Sequence, residues 1–251
     1  MGLFPKLNAW VTMSFQSLIL GARSPSIEGV ADFGKCRFLV DGEKSLADFS
    51  IANQGSASHV VVALDSQDYD FFNIGPLPDR VRLLRISRPT QGALATAGMC
   101  LDALSDGSPI VVSAIDGICP NYIDDFYRSM LESNSDGGAV VFSSNRSDYC
   151  YVRISNGNPI EFAEKRKIGE LASAGIYYFK NKGLLEESIL WAILNQAKFN
   201  GQYYFSSALN KLIFDNKTIS LFKVNENEYL RFSTELEAIA SRQIIMGAKH
   251  E

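Results

Sequence analysis

The sequence predicts an α/β domain whose central sheet is mainly parallel. Short, β-branched apolar runs bounded by polar turns predict strands that are covered on both faces. Longer helix-like stretches separate these runs in the first half of the chain, and strand-helix-strand alternation is typical of parallel sheets with helices on either side. After residue 145, an Asn-Gly pair between two extended runs predicts a small antiparallel extension.

The predicted elements follow one another without a visible linker or internal repeat, so we expect one domain over residues 1–251. The strands are predicted at residues 17–20, 59–64, 82–86, 110–115, 139–142, 173–179 and 218–224, with the hairpin at 149–154 and 160–164. The helices are predicted at residues 45–53, 92–104, 122–132, 184–196 and 206–214, with a last one from the Thr234–Glu237 capping box to about Met246.

Composition excludes several classes of function. The chain has 251 residues and a net charge of −4, and no block of Lys and Arg stands out, so binding to a nucleic acid is not expected. The four cysteines, Cys36, Cys100, Cys119 and Cys150, form no Cys-x-x-Cys pair, and there are only two histidines. This pattern argues against a zinc site and fits a reducing compartment.

The apolar stretch at residues 9–22 is too short and too polar to span a bilayer. The run from Phe15 to Leu20 fits a buried strand better. We therefore expect a cytoplasmic protein with no membrane partner.

Asp116 is the first candidate site residue, because it follows the predicted strand 110–115 and precedes Gly117. In parallel sheets, ligands bind beyond the carboxyl ends of the strands. A carboxylate there can bind Mg²⁺, which prefers carboxylate oxygens and substrate phosphates. The alternative is an ordinary turn-forming Asp before Gly.

Gln91 and Gly92 follow the strand 82–86 and open a predicted helix. The glycine allows a ligand to approach the backbone, and the Gln91 amide can read the edge of a base. Taken alone, helix capping with Thr90 as the cap is the more common explanation of this segment.

Glu164 and Lys165 are neighbours at the end of an extended run, so they are expected to face opposite sides. One can reach sugar hydroxyls while the other reaches a phosphate. An exposed edge strand carrying charges is the alternative, and the neighbouring Arg166 and Lys167 support it.

Two further segments offer phosphate ligands. Gly21-Ala22-Arg23 follows the first strand, where backbone N–H groups can bind phosphates and Arg23 can neutralise them. Lys35 precedes the run 36–40 and the Asp41-Gly42 turn, and is equally compatible with a solvated lysine.

The order and spacing of these residues resemble the sugar-1-phosphate nucleotidyltransferases, in particular the branch found in bacterial capsule and surface-polysaccharide pathways. The resemblance rests on Asp116, Gln91-Gly92, Glu164-Lys165 and Gly175-Ile176-Tyr177, and covers about residues 15–240. It implies a GT-A-like, Rossmann-related fold in three layers. It also implies that a nucleoside triphosphate is joined to a sugar 1-phosphate, with release of pyrophosphate and with Mg²⁺ as cofactor.

The resemblance also implies a role for each candidate residue. Residues 15–145 would form the nucleotide-binding half and residues 146–251 the sugar-binding half. Nucleotide contacts would come from Gly21, Ala22, Gln91 and Gly92; catalytic contacts from Arg23, Lys35 and Asp116, with Asp116 holding the metal; and sugar or sugar-phosphate contacts from Tyr149, Glu164, Lys165 and Gly175.

The chain differs from the family pattern at its N-terminal loop. The family opens with Gly-Gly-x-Gly-Ser/Thr-Arg, whereas this chain has only residues 21–26, Gly-Ala-Arg-Ser-Pro-Ser. Fewer glycines and a proline leave fewer free N–H groups for a triphosphate. A second register stays open, with the first strand at residues 10–13 and the loop at 14–17.

A second difference lies near the C-terminus. Many relatives have Trp-x-Asp-x-Gly-Thr where this chain has residues 229–234, and their Asp is the second metal ligand. Arg231 occupies that place here, and a cation cannot ligate Mg²⁺. It is expected to pair with Asp116 or to bind a substrate anion.

Three functions follow as hypotheses. An active nucleotidyltransferase is preferred, and a binding or regulatory module that kept the fold and lost the reaction is the first alternative. A glycosyltransferase of the same fold is the second, although such enzymes usually carry an Asp-x-Asp pair and no second acid follows Asp116. The sequence also leaves room for a homo-oligomer.

Overall fold

The computed structural model describes residues 14–22 and 35–247, and these residues form a three-layer α/β arrangement. The strands are β1 (Gln16–Leu20), β2 (His59–Asp65), β3 (Val81–Ile86), β4 (Ile110–Ala114), β5 (Gly117–Ile118), β6 (Gly137–Ser143), β7 (Cys150–Ser155), β8 (Asn158–Glu164), β9 (Leu171–Phe179), β10 (Ile219–Lys223) and β11 (Leu230–Arg231). The helices are α1 (Leu46–Ala52), α2 (Ser66–Phe72), α3 (Ala93–Met99), α4 (Ile123–Glu132), α5 (Lys182–Leu194), α6 (Phe205–Phe214) and α7 (Glu235–Gly247).

The main sheet of the described residues has the order β10-β6-β9-β4-β1-β2-β3. Strands β1 to β4 are parallel, and β1 lies between β2 and β4, so that Leu18 pairs with both Val61 and Val112. Strand β9 lies between β4 and β6 and is antiparallel to both. Strands from both predicted halves of the chain therefore form one continuous sheet.

Helices cover both faces of this sheet, which explains why its strands are apolar on both sides. Ala47 of α1 and Phe126 of α4 pack on one face, together with Val60 and Val62 of β2. Helices α3, α5 and α6 pack on the other face, against the alternate side chains of the same strands. Full burial of each large apolar side chain stabilises the fold by roughly 1.5–3 kcal/mol.

The hairpin predicted from the Asn-Gly pair is present. Strands β7 and β8 are antiparallel, and Asn156 and Gly157 join them with φ values of 48° and 80°. Strand β7 also pairs with the start of β9. The hairpin thus extends the sheet beside the end of β4.

A small second sheet and α7 close the structure over the same end of β4. Strand β11 pairs with β5, so that Arg231 lies opposite Gly117. The capping box of α7 is formed, since Thr234 and Glu237 exchange hydrogen bonds between side chain and backbone. Phe232 and Ala238 are fully buried in a third cluster between these elements.

The fold class predicted from the sequence is confirmed. Helix α2 was not predicted, because its N-cap Asp65 is also the last residue of β2 and no loop separates the two. The helix predicted at residues 92–104 is shorter, because α3 ends at Met99 and a 3-10 turn follows at Leu101–Ala103. Within residues 14–22 and 35–247, none of the helices combines the length and apolar character that crossing a bilayer requires.

Candidate active site

Asp116 lies just beyond the carboxyl end of β4, between the main sheet and the small sheet. The backbone N–H of Phe232 donates a hydrogen bond of 3.0 Å to its carbonyl oxygen, which fixes the turn. Its side chain is 27% exposed and lines a cleft. The predicted carboxylate at the mouth of the sheet is therefore in place.

Lys35 and Ser233 bind this carboxylate from two sides. The Lys35 Nζ lies 2.6 Å from Asp116 Oδ2, and the lysine side chain is only 6% exposed. Ser233 Oγ donates a 3.2 Å hydrogen bond to the same oxygen. Burial by itself would raise the pKa of Asp116, but the Lys35 ammonium and the Ser233 hydroxyl outweigh it, so the pKa is lower than usual. Asp116 is therefore ionised at neutral pH.

Arg231 lines the same cleft but does not pair directly with Asp116. Its Nη1 donates to Asp148 Oδ2 at 2.6 Å and to Glu237 Oε1 at 3.1 Å. Its Nε donates to Ser233 Oγ at 3.2 Å, and Cζ lies 4.6 Å from the centre of the Tyr149 ring. Hydrogen bonds thus run without a break from Arg231 through Ser233 to Asp116.

Asp148 is the centre of a charged network beside Arg231. Arg146 binds it through Nε at 3.1 Å and Nη2 at 3.0 Å, and Arg146 also pairs with Glu237 at 2.7 Å. Burial works against ionisation, yet hydrogen bonds from Arg146 and Arg231 lower the pKa of Asp148 to about 2. The network therefore holds the Arg231 guanidinium at the cleft wall, while Arg146 supports it from outside the lining residues.

The cleft has a volume of about 240 Å³ and runs from Asp116 toward Glu164. Its middle is apolar and aromatic, with residues from β1, β4 and β9 and from the start of α6. The lining residues used below are Asp116, Asp148, Tyr149, Cys150, Glu164, Gly175, Tyr177, Tyr204, Phe205, Arg231 and Ser233.

Three predicted sugar-binding residues, Tyr149, Glu164 and Gly175, share this cleft with Asp116. Tyr149 is buried, and its ring packs against Phe142 and below Arg231. Gly175 has a φ of 75° at the irregular part of β9, so its backbone borders the cleft.

Glu164 ends β8 beside Cys150 and the first turn of α6. It shares hydrogen bonds with the Cys150 thiol and the Ser206 hydroxyl, but burial dominates and raises its pKa to about 7. A carboxyl with such a pKa changes its charge readily near neutral pH.

Lys165 differs from its expected placement. It is exposed and lies in a turn with a φ of 51°, so β8 ends at Glu164 and the pair is not extended as expected. Its backbone N–H donates to Tyr149 O at 2.9 Å. It is not among the cleft residues.

Gln91 and Gly92 are not among the residues that line this cleft, although the next residue, Ala93, is. Gly92 has a φ of 105°, and a Cβ there would lie 2.5 Å from the carbonyl oxygen of Tyr203. Tyr203 N donates to Gln91 O, and Leu94 N donates to Tyr203 O. The close approach that Gly92 permits is therefore to the chain's own backbone, while the Gln91 side chain is exposed.

The first strand has the register in which Gly21 and Ala22 follow it. Gly21 N donates to Ala63 O at 2.8 Å, and a Cβ added at Gly21 would lie 3.0–3.1 Å from the side chains of Leu64, Ile115 and Cys36. Ala22 lines a second cleft of about 380 Å³ at the ends of β2 and β3. Arg23, and the alternative strand at residues 10–13, lie outside the described residues.

Sequence reasoning missed the residues that hold the site in place. Arg146, Asp148, Ser233 and Glu237 had no recognised pattern, although Glu237 was noted as a capping residue. What these residues share is that they lie close to Arg231 in the folded structure. Strands β7 and β11 and helix α7 bring them together, so no pattern in the sequence marks them. Arg231 was expected to pair with Asp116 or to bind a substrate anion; the structure shows no direct pair and connects the two residues through Ser233.

Comparisons with known proteins found similar structures but no similar sequence. No family model and no curated protein matches the chain. A nucleoside-diphosphate-sugar pyrophosphorylase from Vibrio cholerae RC9 is 18% identical, with a TM-score of 0.74, covering 91% of this chain and 100% of its own.

Two further structures agree. The inositol-1-phosphate CTP transferase from T. maritima is 10% identical, with a TM-score of 0.69 and coverage of 94% and 98%. HddC from Yersinia pseudotuberculosis is 16% identical, with a TM-score of 0.65 and coverage of 92% and 99%. The chain therefore has the fold of the sugar-1-phosphate nucleotidyltransferases, as the sequence resemblance predicted.

Proposed function

We propose that this protein is a nucleotidyltransferase that joins a nucleoside triphosphate to a sugar 1-phosphate and releases pyrophosphate. The observation that carries the proposal is the ionised Asp116, paired with the nearly buried Lys35 at the mouth of a cleft. The fold supports it, and so do the names of two similar structures, a nucleoside-diphosphate-sugar pyrophosphorylase and an inositol-1-phosphate CTP transferase. That the product serves surface-polysaccharide synthesis is a finer proposal, resting on the sequence resemblance alone.

The reaction needs no covalent bond between the protein and its substrates. An oxygen of the acceptor phosphate attacks the α-phosphorus, the new O–P bond forms, and the bond from the α-phosphorus to the bridging oxygen breaks. Pyrophosphate leaves with the electron pair, and the acceptor phosphate, already ionised, gives up no proton. Catalysis therefore depends on positioning and on stabilising negative charge.

Lys35 is the residue best placed to stabilise that charge. Its ammonium is held at the strand end by Asp116, and the surrounding burial keeps water from screening it. Arg231, held by Asp148 and Glu237, contributes a second cation at the cleft wall. We propose that it faces the acceptor phosphate. Tyr149, Glu164 and Gly175 would contact the acceptor's sugar.

We propose Asp116 as the one protein ligand of Mg²⁺. The hydrogen bonds from Lys35 and Ser233 both end on Oδ2, which leaves Oδ1 for an ion. No group of three or more His, Cys, Asp or Glu that could hold a metal occurs in the described ranges. The donor set therefore fits an ion that keeps water and phosphate oxygens as its other ligands. When bound, Mg²⁺ would supply further neutralisation of phosphate charge.

We also propose that the nucleotide is bound by four residues near the ends of the first strands: Gly21, Ala22, Gln91 and Gly92. Ala22 is supported by the second cleft at the ends of β2 and β3, where a nucleoside could lie. We propose that the exposed Gln91 side chain contacts the base. The phosphate-neutralising role of Arg23, which lies outside the described residues, stays a prediction from the sequence. The division into a nucleotide-binding half at 15–145 and a sugar-binding half at 146–251 follows from the same proposal.

A screen of nucleoside triphosphates against sugar 1-phosphates, read by pyrophosphate release and by mass spectrometry of the product, tests the function. Formation of a nucleotide sugar is expected with at least one pair. Arg231 in the place of an acid favours a second candidate, a binding protein without turnover. That candidate gains support if nucleotides or sugar phosphates raise the melting temperature while no pair yields pyrophosphate.

A further inference from the structure

Glu164 is the acid at the far end of the cleft, and no cation of the described residues pairs with it. Glu161, on the same strand, forms ion pairs with Arg153 and Arg166. Among the described residues, the exposed Lys165 supplies the positive charge that lowers the pKa of Glu164, and the hydrogen-bond partners of Glu164 are the neutral Cys150 and Ser206.

Within the Asp116 cleft, the side chains beside Glu164 are aromatic or neutral, whereas a neighbouring cleft that Glu164 also borders is lined by Arg166 and Lys198. Tyr177 and Phe205 stack with ring centres 4.9 Å apart and planes inclined by 15°, and both line the cleft with Tyr204. Burial raises the pKa of the Cys150 thiol and of the Tyr177 hydroxyl well above their usual values, so neither titrates near pH 7. Aromatic faces beside a carboxylate are the surroundings in which proteins hold ammonium groups.

The two ends of the cleft therefore differ in charge. Around Asp116, where a phosphate is expected, Arg231 lines the cleft, Lys35 binds Asp116, and Arg146 binds the lining residue Asp148. Glu164 lines the same cleft and forms no ion pair with the described residues. A ligand with a phosphate at one end and a positive charge at the other matches both.

Resting on the proposed function, we infer that the acceptor carries an ammonium group, held by Glu164 and the aromatic rings beside it. A neutral hydroxyl would leave an ionised, half-buried Glu164 without an ion-pair partner, which is costly. An ammonium group removes that cost. An amino sugar phosphate and a small aminoalkyl phosphate share this chemistry.

Calorimetric titration of the full-length protein with glucosamine 1-phosphate, glucose 1-phosphate and phosphoethanolamine tests the inference. The titrations are run alone and with the triphosphate analogue that stabilises the protein most. At pH 7 we expect the tighter of the two amines to bind about tenfold more tightly than glucose 1-phosphate. Its binding should release protons, because the ammonium group favours ionised Glu164; the heat should then vary with the buffer. Which amine binds more tightly distinguishes an amino sugar from an aminoalkyl acceptor.

Glu164→Gln is expected to lose both the amine preference and the proton release, whereas the control Glu161→Gln keeps both. Equal binding of glucose 1-phosphate and both amines by the unmodified protein would overturn the inference, as would an amine preference that survives in Glu164→Gln. Pyrophosphate release, measured in parallel, distinguishes failure of the proposed nucleotidyltransferase function from failure of the inferred amine acceptor. Turnover without amine preference contradicts only the acceptor class, and amine binding without any turnover contradicts only the proposed function.

Discussion

The Lys35 Nζ lies 2.6 Å from Asp116 Oδ2, although 81 residues separate the two along the chain. The pair joins the segment after the N-terminal loop to the carboxyl end of β4. It holds the Lys35 ammonium in a fixed position beside the Asp116 carboxylate.

Replacing Lys35 by Met removes the cation while keeping much of the apolar stem. We expect the rate of pyrophosphate release to fall by about 100-fold or more, as for the loss of one charge-stabilising donor. Lys44→Met is the matched control, because Lys44 is exposed and forms no ion pair with the described residues. Equal rates in the two variants would show that Lys35 does not contribute to catalysis.

Replacing Arg231 by Ala removes the guanidinium that Asp148, Glu237 and Ser233 hold over Tyr149. If it contacts the acceptor phosphate, the KM for the sugar phosphate should rise by about tenfold to 100-fold, while the KM for the triphosphate changes little. Arg231→Lys should recover part of the loss. A lower kcat with both KM values unchanged would contradict the assignment.

Gly92→Ala should destabilise the fold for two reasons. The added Cβ would clash with the Tyr203 carbonyl oxygen, and a φ of 105° is unfavourable for alanine. The expected loss is roughly 2–4 kcal/mol in the free energy of unfolding, measured by urea denaturation. Gly107 also has a positive φ, 77°, but no atom lies within 4 Å of an added Cβ. Gly107→Ala should therefore cost only about 1 kcal/mol. Similar losses in both variants would refute the packing argument.

Glu164→Gln should change how stability depends on pH. The folded pKa of Glu164 is about 7, above the usual 4.5, so the folded state binds the proton more tightly. The stabilisation that the protonated Glu164 carboxyl gives to the folded state is complete below pH 4.5 and is lost as the pH rises to 7. Since Gln does not ionise, the variant should gain up to about 3 kcal/mol relative to the unmodified protein between pH 5 and pH 8.

Unfolding experiments at the two pH values measure this gain. Glu161→Gln serves as the control, because Glu161 is paired with two arginines on the outer side of β8. A constant stability difference between Glu164→Gln and the unmodified protein at both pH values would show that Glu164 has an ordinary pKa.

The sequence predicted those features that depend on local patterns. The buried strand β2 is apolar on both faces, and Asn156-Gly157 tolerates the positive φ values that its turn requires. Asp116 was identified because a polar residue at the end of an apolar strand is visible in the sequence alone. These signals lie within a few residues of one another.

The features that the sequence did not give depend on contacts between distant segments. Ser233 joins Arg231 to Asp116 only because β11 pairs with β5. The close packing of Gly92 against the backbone of Tyr203, from a segment more than a hundred residues later, was not predicted. Lys165 looked extended, but the turn after β8 directs it away from the cleft. No periodicity or motif encodes such pairings.

The most direct test of the account is the rate of pyrophosphate release by Asp116→Asn, measured with the best substrate pair and saturating Mg²⁺. Asn keeps the shape of the side chain but loses the charge that holds Lys35. The account predicts no detectable turnover, with folding intact by circular dichroism and full activity in the control Asp106→Asn, whose side chain is 89% exposed. A rate for Asp116→Asn equal to that of the unmodified protein would contradict the central claim.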